Sequence, residues 1–147
     1  MKKRVFGFSF FLLVVSSVFA GEMDPFVGTW QVDYKATLEG AVKSPKYDPE
    51  KDAKILPVIL KKIAETFFLE ITDDDVIFTQ GERSTAMPYT VKSADKDSVV
   101  VSCSVAEKTF TMAFEHRGKK RMGFKSSLTD DMDFYVWEPR RGNGAKK

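Results

Sequence analysis

SVVVSCSVAEKTFTMAFEH, residues 98–116, alternates twice. In the first half Val99, Val101, Cys103 and Val105 share one face, with serines between most of them. In the second half Phe110, Met112, Phe114 and His116 share a face, and Thr109, Thr111 and Glu115 fall on the other. A strict period of two is the pattern of a strand with one buried face. Two such runs joined by a short reversal make a hairpin.

The same period extends in both directions. Upstream, FFLEIT (67–72) and Asp75–Gln80 flank an aspartate turn. Ser84–Ser93 follows, with Thr85, Met87, Tyr89 and Val91 together. Pro88 in that run implies a sheet edge or a bulge. Downstream, Arg121–Leu128 places Met122, Phe124, Ser126 and Leu128 together, and Met132–Glu138 reads as the last strand. The first strand spans Val27–Ala36, with Trp30, Val32, Tyr34 and Ala36 on one face. A loop, LEGAVKSPKYD, comes next. Asp48-Pro49-Glu50 then starts a helix: a capping residue, a Pro at the first helical position and an acid in the first turn. Leu56, Ile59, Leu60, Ile63 and Phe67 line one helical face. Pro57 is expected to kink or split that helix.

The expected fold is all-β. About eight antiparallel strands run up and down, with a helical insertion between strands 1 and 2. A long meander leaves two exposed edges unless it closes, so a barrel is favoured.

The ends of the chain carry other information. Lys2, Lys3 and Arg4 precede an apolar run, Val5–Val18, and Val18-Phe19-Ala20 fits a processing site. This reads as a signal peptide, residues 1–20, and implies export to the periplasm or beyond. The run is short for a membrane span and broken by Gly7, Ser9, Ser16 and Ser17, so no stable membrane anchor is expected. The full chain has 23 Lys+Arg and 21 Asp+Glu. Without the signal it holds 20 bases and 21 acids. The tail RRGNGAKK, residues 140–147, is read as a disordered basic end. The body, 21–139, holds 16 bases and 21 acids, a net −5. An acidic body argues against a nucleic-acid surface. One cysteine, Cys103, excludes an internal disulfide and a Cys-based zinc site.

PFVGTW, residues 25–30, opens the mature chain, and its Gly28-Thr29-Trp30 resembles the Gly-x-Trp start of the first lipocalin strand. Phe26–Trp30 also resembles the start of a fatty-acid-binding protein. The insertion DPEKDAKILPVILKKIAE (48–65) stands where that family has its helical lid. The chain thus resembles the calycin superfamily, most closely as a lipocalin-like barrel. The Arg-x-Tyr pair that grips a carboxylate in fatty-acid-binding proteins has no counterpart in DFYVWEPRR (133–141). The resemblance implies that Gly28 and Trp30 plug one end of the barrel and that Arg140 stacks on Trp30. It also implies a hydrophobic or amphipathic ligand inside. The inner-face residues offered for that ligand are Tyr34, Met87, Tyr89 and Phe110, with Met112, Phe114, Met122 and Phe124. These side chains are equally able to fill an eight-stranded barrel.

No chemistry competes. His116 is the only histidine and has no nucleophile or metal-ligand set around it in sequence. Asp73-Asp74-Asp75 and Asp130, Asp131 and Asp133 fall where hairpins turn, without EF-hand spacing. Cys103 among valines reads as a small buried hydrophobe. No enzyme, metal or cofactor is expected. The alternative to a ligand carrier is an envelope interaction or inhibitor module that acts through its loops on a protein partner.

Overall fold

A computed structural model describes residues 21–129, 133 and 135–140. The expected signal peptide and the basic tail beyond Arg140 lie outside them. Eight antiparallel strands close into a barrel in sequence order. They are β1 (Gly28–Val32), β2 (Phe67–Ile71), β3 (Asp75–Gln80), β4 (Arg83–Ala94), β5 (Ser98–Val105), β6 (Lys108–His116), β7 (Met122–Ser126) and β8 (Val136–Pro139). Closure is made by β1 against β8, with Trp30 opposite Pro139 and Val32 opposite Trp137.

The 98–116 hairpin sits as its alternation requires. Val101 faces Met112 and Cys103 faces Phe110 across the ladder, and all four are buried. Pro88 marks a change of partner in β4: it is the last residue opposite β3, and Tyr89 is the first opposite β5. The register shift comes later, between Val91 and Ser93.

Three expectations are corrected between β1 and β2. The first strand ends at Val32 instead of Ala36, and Tyr34 heads a helix, α1 (Tyr34–Val42). Asp33 makes the switch, because its carboxylate accepts a hydrogen bond from Ala36 N and caps the helix. The helix takes in Lys35 and Ala36, read as strand, and Leu38 and Glu39, read as loop, all good helix formers, and buries Thr37 and Ala41 one turn apart. The second helix, α2 (Pro49–Thr66), starts at its Asp48 cap as expected, yet Pro57 does not split it. Pro57 forfeits one bond to the carbonyl of Ala53. Ala53 is exposed, so water can serve that carbonyl. Ile63 and Ala64, packed against the barrel core, hold the following turns to it.

A 3-10 turn, Asp24–Phe26, closes the end of the barrel opposite the helices and buries Met23 and Phe26. Between the two ends runs a chain of rings. Centroid distances are 5.5 Å for Trp137–Phe67, 5.8 Å for Phe67–Phe78, 5.8 Å for Phe78–Phe124, 5.6 Å for Phe124–Phe114 and 6.1 Å for Phe114–Phe26. The lower barrel is therefore a packed core of stacked and tilted rings.

Candidate ligand cavity at the barrel mouth

The strands leave Phe67, Phe78, Met87, Phe110, Met112 and Phe124 converging at the helical end. With Ser126, Leu128 and Thr129 they line a solvent-open pocket of about 220 Å³. The wall is built almost wholly of aromatic rings and thioethers, and Ser126 and Thr129 turn only apolar atoms to it. Leu128, 61 % exposed, marks the opening to solvent.

Four residues of the expected lining meet here: Met87, Phe110, Met112 and Phe124. Four do not. Phe114 and Met122 are fully buried deeper in the core. Tyr89 lies toward the other end, where its hydroxyl donates to Thr72 O at 2.7 Å. Burial, and then the charges of Asp73 and Asp74, push that phenol above its ordinary value. Tyr34 is on α1 and takes no part in the wall.

Phe67 and Phe78 are wall residues that the sequence reading did not assign to the cavity. Phe67 caps the end of α2 and begins β2, so helix period and strand period overlap on it. Phe78 faces Leu69 across the β2–β3 ladder, and Leu69 is fully buried, so cross-strand pairing was the signal available.

The plug is corrected in one contact. Trp30 is buried and donates its indole N–H to Phe26 O at 2.8 Å, which ties β1 to the 3-10 turn. Arg140 does not stack on it. Its guanidinium lies 3.7 Å from the ring centre of Phe68, while its backbone N–H donates to Thr29 O. Phe68 neighbours Leu69, the partner of Trp30, so alternation places the Phe68 ring on the outside of the barrel.

Elsewhere His116, Asp95 and Cys103 are in structural use. His116 stacks on Phe26. Backbone N–H groups of Asp97 and Ser98 hold the Asp95 carboxyl low, in a turn. Burial raises the Cys103 thiol to about 11. No group of three or more His, Cys, Asp or Glu able to hold a metal occurs among the described residues. No described helix is long and apolar enough to cross a membrane. A polar cleft of about 400 Å³ lies among Lys119, Lys120, Arg121, Glu138 and Pro139. Its Arg121 is already paired with Asp33 at 2.9 Å.

In comparisons with known proteins, no protein-family model, curated protein or solved structure matches this chain. The closed eight-stranded antiparallel barrel is compatible with a calycin-like fold.

Proposed function

We propose that this chain is an exported, lipocalin-like, non-enzymatic binding protein that takes a small hydrophobic or amphipathic molecule into the barrel mouth. The observation that carries this reading is the apolar wall around 220 Å³ between Phe67, Phe78, Met87, Phe110, Met112 and Phe124. An apolar cavity of about 150 Å³ is enough to bind benzene. Pockets for larger organic ligands start at about 300 Å³. The ligand is therefore compact, about one ring with a short substituent. Burying six to eight apolar carbons gives about 5–6 kcal/mol at ~0.8 kcal/mol each. That gain alone corresponds to a Kd on the order of 0.1 mM, and association costs weaken it to the millimolar range or beyond. Export rests on the sequence of residues 1–20.

The test is calorimetric titration with toluene. Wild-type protein should bind with a negative heat-capacity change. Met87→Phe should fill the cavity, and Leu128→Trp, at an exposed position, should obstruct the opening. Both should lose the heat while remaining folded. A wild-type protein that gives no heat contradicts the reading.

A second reading, an envelope interaction module, has one observation in its favour. Ile55, Val58 and Ile59 stand 58 %, 69 % and 47 % exposed on the outward face of α2. They are spaced to form one stripe. Partner capture that is lost in Ile55→Asp, with toluene binding unchanged, would favour it over the carrier.

A further inference from the structure

Trp137 is fully buried, and its indole N–H has no hydrogen-bond partner among the described residues. Such groups are uncommon in folded proteins, because water is given up and nothing replaces it. The contrast lies in the same barrel: the indole of Trp30 is satisfied by Phe26 O at 2.8 Å. The place of Trp137 is informative. Its ring centre is 5.5 Å from that of Phe67, and the Phe67 ring is also part of the cavity wall. The half-buried Phe67 ring, at the junction of α2 and β2, thus borders both the apolar cavity and the Trp137 ring.

We propose that the ligand carries one uncharged hydrogen-bond acceptor, a carbonyl, that reaches past Phe67 to the indole N–H of Trp137. This rests on the cavity-binding reading above and narrows its substrate class. A carbonyl fits better than a carboxylate, because no Lys, Arg or His lines the cavity and a buried, unpaired charge is costly. It fits better than a purely apolar molecule, because only an acceptor meets the orphan donor. The compact carbonyl compounds in range are aromatic or short-chain ketones, aldehydes and esters.

The test uses two molecules of nearly one shape, acetophenone and α-methylstyrene, in which C=O replaces C=CH2. The protein is labelled at the indole nitrogens and the methionine methyls. The methyl signals of Met87 and Met112 report cavity occupancy, and the indole of Trp30 is the internal reference. Both compounds should shift the two methyls. Only acetophenone should move the Trp137 indole proton downfield, with Trp30 unmoved. In Trp137→Phe, acetophenone should bind about tenfold more weakly and α-methylstyrene about as before. Shifted methyls with an unmoved Trp137 indole would overturn the carbonyl assignment and leave cavity binding standing. Unshifted methyls with both compounds would overturn cavity binding itself. The indole readout needs only the wild-type protein, so poor folding of the variant does not blunt the test.

Discussion

The imidazole of His116 lies face to face with the ring of Phe26, 4.6 Å between centres and 22° from parallel. The lone histidine of the chain, at the end of β6, is thereby a floor tile of the barrel. Phe26 also touches Phe114, and its carbonyl receives the Trp30 indole. Removing the Phe26 ring opens a cavity at a 1 % exposed position. Phe26→Ala should cost about 3–5 kcal/mol in urea unfolding. His116→Ala, at an exposed strand end, should cost less than Phe26→Ala and leave toluene binding unchanged.

Asp33 holds two structures at once. Its carboxylate caps α1 through Ala36 N at 2.9 Å and meets the Arg121 guanidinium at 2.9 Å. Asparagine keeps the cap and loses the ion pair. Arg121 is half exposed, so Asp33→Asn should cost at most about 1 kcal/mol. Asp33→Ala loses the cap as well and should cost a further 0.5–2 kcal/mol or so. Equal costs for the two would show that the cap contributes nothing.

Two backbone positions with positive φ predict opposite signs. Gly28 has φ 143°, with nothing near enough to obstruct a side chain. Its constraint is conformational, and Gly28→Ala should destabilise by about 1–3 kcal/mol. Ala106 turns the β5–β6 hairpin at φ 54°. Glycine relieves about 1–2 kcal/mol of strain there and gives back about 0.5–1 in chain entropy. Ala106→Gly should therefore raise thermal stability slightly.

The protein should weaken in alkali. Burial lifts the Cys103 thiol from 9.0 to about 11, and the Tyr89 phenol is raised too. The folded state holds these protons more tightly than the unfolded chain. Their stabilisation is therefore complete below pH 9 and is lost as the pH climbs toward 11. For Cys103 the loss is about 2–3 kcal/mol at most. Urea midpoints at pH 8 and pH 11 should show the fall, and Cys103→Val should flatten it.

The fold was legible where one physical signal acted alone. β5 and β6 alternate cleanly, and each carries one buried face. Around residues 33–36 two signals coincided. The alternation of Trp30 and Val32 continued on paper through Tyr34, while Asp33 was already a helix cap. Capping won, because the last strand bond, Asp33 N to Val136 O, leaves that side chain free to turn the chain. The cavity was half legible. Period two put Met87, Phe110, Met112 and Phe124 inside the barrel, but depth along the axis depends on strand stagger, which no local pattern carries. Phe114 therefore packs below the cavity, and Phe67 reaches it from a helix terminus.

The central claim is that the barrel is packed along its ring chain and open to a small apolar ligand only at the mouth. Xenon-pressurised crystals test it most directly, since xenon enters dry apolar cavities. The account predicts a xenon peak among Phe67, Phe78, Met87, Phe110 and Phe124, and none beside Phe114 or Phe26. No xenon at the mouth, or xenon deep beside Phe114, would contradict it.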